Sequence, residues 1–388
     1  MTTRAVMLAL ALVPCAASAS AGQARTPLVQ SIDIHVPAPP TPVTIAGRRH
    51  LAYEVHLTNF RPFDVALGRV EVRDTDRGRS LADLRDAALV DRIGRPGSLP
   101  ASADKRVIAG GMRAVVYLWL PLEDSAQTPT RLSHRIELDL LREQGRTPVV
   151  VEGGDVTVRE EAPVVLDAPL RGGPWVALYD PVLARGHRAS IYTIDGRARI
   201  PARYAIDFVR LDSTAASARG DRNRTSNWLG YGADVLAVAD GRVAQARDDV
   251  PEGETLEAAR GSMPLENASG NYVTLDLGNG RFVFYEHLRH GSIRVRPGDR
   301  VRGGQVIAQL GNSGSSSSGP HLHFHVADAN ATLAAEGAPW VFRGFTVVGG
   351  FETIQAFAAG SPWKPVAASE GGARRLELPA PNVVVLFR

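Results

Sequence analysis

The sequence is nearly without cysteine. Its single thiol, Cys15, lies in an apolar leader, so once that leader is removed disulfides, thiolate zinc sites and cysteine nucleophiles are all excluded. Lysine is almost as scarce, with only Lys105 and Lys364, and arginine carries the remaining positive charge. Lys+Arg 44 against Asp+Glu 41 gives a formal net charge of +3 with no block of one sign. Nucleic-acid or membrane-surface binding therefore has no electrostatic footprint. Long apolar runs are missing too, since none approaches the roughly 20 residues that a membrane-spanning helix needs. At 388 residues, 44% hydrophobic and 22% charged, the chain has room for two or three domains with real cores, which excludes disorder and a small disulfide scaffold. With thiols gone, the ten histidines become the inventory for metal and proton chemistry.

Residues 1–21 read as a signal peptide: a cationic start from Met1 to Arg4, an apolar run from Ala5 to Ala17, and small-residue cleavage sites at Ala19 or Ala21. Pro14 sits where lipidation of Cys15 would want a small residue, which argues against a lipoprotein. The expected location is therefore secreted or periplasmic. From 25 to 165 short alternating segments recur between Pro, Gly, Asp and Ser clusters, for example His50 to Leu57, Ala114 to Leu120, His134 to Leu138 and Val149 to Val151. They predict an all-β N-terminal region, an immunoglobulin-like β-sandwich, with only Leu81 to Val90 helical. Its histidines, His35, His50, His56 and His134, read as solvated strand residues. Residues 166–185, with Arg171-Gly172-Gly173-Pro174, read as a linker, 186–350 as a second domain, and 351–388 as an extension ending in a strand from Val383 to Phe387.

The string His321-Leu322-His323-Phe324-His325 carries most chemistry. On a strand, residues i, i+2 and i+4 share a face, so the three imidazoles align about 6.6 Å apart while Leu322 and Phe324 enter a core. That spacing suits a metal ligand beside a catalytic neighbour. The upstream loop from Gly311 to Pro320 lacks the lysine of a phosphate cradle and the surroundings of a serine nucleophile, and reads as a flexible approach to the strand.

With Tyr231-Gly232-Ala233-Asp234, Asp240-Gly241-Arg242-Val243, Gly270-Asn271-Tyr272-Val273, Tyr285-Glu286-His287-Leu288, Gly298-Asp299-Arg300-Val301 and Gly319-Pro320-His321-Leu322-His323-Phe324, the stretch from about 186 to 350 resembles the LytM or lysostaphin-type zinc endopeptidases. The resemblance implies an antiparallel β-sheet groove of lipoyl-like duplicated-barrel type, holding one zinc and acting on peptidoglycan cross-bridges or stem peptides. It puts the metal aspartate on Asp207, the second histidine ligand on His323, and the two catalytic, non-ligand histidines on His287 and His321. The polar inserts from Asp212 to Trp228 and from Arg247 to Asn267 read as walls of that groove.

The pattern breaks at Arg203. The resemblance implies a histidine ligand four residues before the aspartate, and a guanidinium has no lone pair to give. Held about 4 Å from a dication it would be repelled by on the order of 8 kcal/mol at an effective dielectric of 20. If zinc binds, Arg203 must point elsewhere and a replacement must come from His187 or His325. Two functions follow: a metallopeptidase with an altered zinc site, or a catalytically inactive relative that binds cell-wall peptides or regulates a cell-wall amidase.

Overall fold

The computed structural model describes residues 31–97, 100, 102–123, 128–182, 186–259, 264–314, 318–366 and 372–388. The expected leader, with Cys15, and part of the Gly311 to Pro320 loop lie outside them. The described chain is nearly all β, and none of its helices is long and apolar enough to cross a membrane.

The N-terminal alternation folds into two five-stranded antiparallel sheets around one core. One centres on Arg48–Thr58 paired with Arg113–Pro121, the other on Val65–Asp74 paired with Arg131–Arg142. Period-two placement explains why the Arg48–Thr58 strand is buried at every residue from His50 on. Leu51, Tyr53, Val55 and Leu57 fill the core between the two sheets, while Ala52, on the opposite face, packs into the core of the second half. Both faces of this sheet are therefore covered.

The second half is an 11-stranded sheet. Its centre runs, neighbour to neighbour, Asn271–Asp276, Phe282–Leu288, Leu322–Ala327, Ile206–Arg210, Gly172–Leu178, Val383–Phe387 and Phe345–Gly350. Leu322, Phe324 and Val326 enter its core with Tyr285, Trp340 and Phe342. Fully buried Phe324 and Phe342 each contribute roughly 1.5–3 kcal/mol of hydrophobic stabilisation.

Three expectations need correcting. The segment expected as a linker supplies the strand Gly172–Leu178, which lies between two others of the large sheet. Its Gly172-Gly173-Pro174 punctuation opens the strand instead of a linker; Trp175 and Val176, directly after it, are buried. Leu81 to Val90 is helical only over Asp86–Val90, because Arg79–Arg85 pairs with Val65–Asp74 as a strand. Of the four histidines expected in solvent, only His35 is exposed, while His50, His56 and His134 are buried.

His134 shows how a buried imidazole is satisfied. Its Nδ1 donates to the Gly154 carbonyl at 3.0 Å, since a carbonyl can only accept, and its Nε2 accepts from the Tyr53 hydroxyl at 3.0 Å. Burial lowers its pKa from 6.5 to about 4. The unfolded chain then binds a proton that the folded one refuses, so this stabilisation is complete above pH 6.5 and is lost as pH falls towards 4. Urea unfolding of wild type and His134→Gln at pH 7 and pH 4 is expected to show the wild type losing more, by on the order of 3 kcal/mol. Equal losses would rule out this role for His134.

Candidate metal centre

The large sheet brings the reactive side chains together by register. Asp207 on Ile206–Arg210 stands directly opposite His323, and Glu286 on Phe282–Leu288 stands opposite His323 from the other side. Alternation gives His321, His323 and His325 one face, the face on which Asp207 and Glu286 also lie. His287 ought by the same rule to face the core. Instead the strand bulges, the register slipping between Asn271↔Leu288 and Val273↔Tyr285, and His287 takes φ 61. A bulge re-aims the following side chain, so Glu286 and His287 both line the site.

Asp207 is the hub. Its Oδ1 lies 2.8 Å from His323 Nδ1 and 3.4 Å from His321 Nε2, and its Oδ2 lies 3.1 Å from His187 Nε2. Burial alone would raise its pKa, but His187 and His321 outweigh that and hold the carboxyl well below the ordinary range. Burial opposes charge on His187 and His321 as well, yet the carboxylate holds both above the usual imidazole value. His287 is pushed well down by burial and then by the neighbouring His321 and His323. Glu286 is raised to about 8, chiefly by burial.

The sequence-predicted residues assemble as follows. Two donor groups each offer three ligand atoms within 4.8 Å of one another: His187, Asp207 and His323, and His287, His321 and His323. His187 comes from the single-turn 3₁₀ helix His187–Ala189 and gives its Nδ1 proton to the Ala205 carbonyl at 3.2 Å. Its Nε2 faces Asp207 Oδ2, where a metal ion between the two would take the place of the proton they now share. A backbone carbonyl behind one ring nitrogen, with the other turned to the site, is the usual support of a metal-ligating histidine. His325 joins neither group; its ring lies flat on Phe284 at 4.6 Å and 3°.

Arg203 points away from the site. Its Nε and Nη2 reach Glu54 Oε2 at 2.9 and 2.8 Å, and its Nη1 pairs with Glu336. The supports of the site were not legible in advance. His287 Nδ1 donates to the Ser313 carbonyl at 2.7 Å, and His321 Nδ1 to the Gly319 carbonyl at 2.6 Å. Gly270, at φ +63, approaches Ser313 so closely that a Cβ there would lie 2.4 Å from its carbonyl, and this contact fixes the acceptor for His287. The cavity of about 100 Å³ is lined by Ser190, Tyr192, Thr332 and Leu333 as well as the polar cluster. Of the two inserts expected as walls of the groove, the described residues Arg224 and Thr255 pair with each other, and Trp228 packs against Gly319.

Two imidazoles and one carboxylate suit a zinc ion and leave a fourth position for reactants. Residues 228–334 match the model of Peptidase family M23, a span that includes His287, His321 and His323 but neither His187 nor Asp207. The chain is similar to the catalytic domain of the antimicrobial peptidase lysostaphin from Staphylococcus simulans at 20% identity, covering 43% of this chain and 88% of that one, with a TM-score of 0.23. It is similar to a putative peptidase M23 from Pseudomonas aeruginosa at 14% identity, covering 69% and 91%, with a TM-score of 0.23. It is also similar to a structure of the SpoIIIAH and SpoIIQ complex at 21% identity, covering 44% and 96%, with a TM-score of 0.27.

Proposed function

Residues 228–334 form a Peptidase family M23 domain, and from that premise we propose that the chain is an exported zinc endopeptidase that cleaves peptide bonds in peptidoglycan cross-bridges or stem peptides. In this reading His187, Asp207 and His323 hold the metal, and His287 and His321 handle protons. One observation carries it: His187 Nε2 stands 3.1 Å from Asp207 Oδ2, with its other nitrogen tied to a backbone carbonyl. That placement supports a peptidase over a groove that only binds wall peptides or a cell-wall amidase, because the case for the latter rested on the arginine at 203.

Bound to those three residues, zinc would supply Lewis-acid chemistry, polarising a carbonyl and lowering the pKa of water towards neutrality. The chain's own residues do the rest. His321 gives its Nδ1 proton to Gly319 and so presents Nε2 to the site, where it can accept a proton and return it to the leaving amine. His287, anchored through Nδ1 on Ser313, presents its second nitrogen from across the cleft, its ring centre 4.8 Å from that of His321. Two imidazoles so placed can divide the labour of moving a proton and hydrogen-bonding an oxyanion.

Metal analysis of the full chain is expected to give about one zinc per molecule, lost in His323→Ala, together with release of cleaved peptides from cross-linked muropeptides. A wild-type chain that takes up no zinc at micromolar supply and leaves muropeptides intact would overturn the proposal.

A further inference from the structure

We infer that the N-terminal sandwich positions the third metal ligand, through a buried ion-pair cluster in which Glu54 is clamped between Arg188 and Arg203. This rests on the assignment of His187, Asp207 and His323 to a metal.

The residue after His187 is Arg188, and its side chain is a peg driven into the sandwich. Its Nε and Nη2 reach Glu54 Oε1 at 3.1 and 2.6 Å, Nη2 also reaches the Tyr53 and Leu118 carbonyls at 2.9 and 3.1 Å, and Nη1 reaches the Pro181 carbonyl at 2.7 Å. The guanidinium also lies 5.7 Å from the Tyr117 ring and 5.8 Å from the Trp119 ring. The other carboxylate oxygen of Glu54 takes the fork of Arg203, which pairs in turn with Glu336 on the loop following the His323 strand. Glu54 is 1% exposed, Arg188 3% and Arg203 5%.

The chemistry of this cluster explains its effect. An arginine is always charged and offers five donors in a rigid fork, so once buried it holds only if every donor is met. The acceptors for Arg188 come almost entirely from the two paired strands Arg48–Thr58 and Arg113–Pro121, which fixes the short turn His187–Ala189 on the sandwich surface. With that turn pinned on one side, His187 is presented to Asp207 on the other. A single-turn 3₁₀ helix has little stability of its own, so the peg supplements the Ala205 contact in holding the imidazole of His187 in place. Residue 203 contributes from the opposite side: it adds the second fork on Glu54 and ties the sandwich to Glu336. Glu54 and Arg188 are thus positioning residues for metal binding, although neither belongs to a donor group.

The test is zinc affinity of the full chain, measured by competition with a chromogenic chelator, with the visible spectrum of the cobalt(II)-loaded protein as a report on ligand geometry. Arg188→Met leaves Glu54 paired with Arg203 and so spares the fold the worst of an unpaired buried charge; Glu54→Gln is the second variant. Both are expected to bind zinc about 10- to 100-fold more weakly and to shift the cobalt bands. Val70→Ala, in the core on the other sheet of the sandwich, is expected to lower the melting temperature while keeping wild-type affinity and spectrum. Wild-type affinity in Arg188→Met, or an equal loss in Val70→Ala, overturns the inference alone. A wild-type chain that binds no zinc overturns it together with the assignment on which it rests.

Discussion

Purified His187→Ala protein is expected to carry no zinc at micromolar supply, as completely stripped as Asp207→Ala. Two protein ligands would remain where a catalytic zinc site holds three, and the carboxylate would lose the partner now 3.1 Å away. Because the metal supplies several kcal/mol of charge stabilisation, hydrolysis should fall by about a thousandfold or more. His325→Phe keeps the stack on Phe284 and is expected to retain one zinc, because His325 belongs to neither donor group. Zinc retained in His187→Ala would remove His187 from the site.

His321→Ala has the opposite signature. Zinc should remain near one per chain while kcat falls by about 10²- to 10⁴-fold, the ordinary contribution of a general acid–base group, with KM little changed. This variant separates the two donor groups that share His323, since a site built on His287, His321 and His323 would lose its metal along with its rate. The readouts are metal content and steady-state kinetics on the same preparation.

The strand Leu322–Ala327 and its two faces were legible because a period of two needs only local sequence: three imidazoles to one side, Leu322 and Phe324 to the other. Asp207 was legible through family resemblance, and so was the anomaly at Arg203. A replacement for the missing histidine was legible only as a pair of candidates, His187 and His325. His187 and Asp207 are twenty residues apart, and their meeting depends on the turn that Arg188 pins to sheet residues 70 to 135 positions before it. The bulge that turns His287 into the site has no marker in sequence, because it depends on how Asn271–Asp276 pairs alongside. Gly172-Gly173-Pro174 misled for a similar reason. Local turn chemistry said linker, while the long-range pairing of Trp175 and Val176 with Val385 and Val384 made a strand.

That pairing bears on how the molecule comes into being. Val383–Phe387 lies between Gly172–Leu178 and Phe345–Gly350 within the large sheet, and the Tyr179 hydroxyl donates to the Pro379 carbonyl 200 positions away. Synthesis delivers the chain from its N-terminus, and contacts of such separation close slowly. Until residue 387 arrives, the strand beside the Asp207 strand has an open edge. The sheet that carries the candidate metal centre thus stays incomplete beside the Asp207 strand until Val383–Phe387 has been made, so the order of synthesis itself delays a competent site.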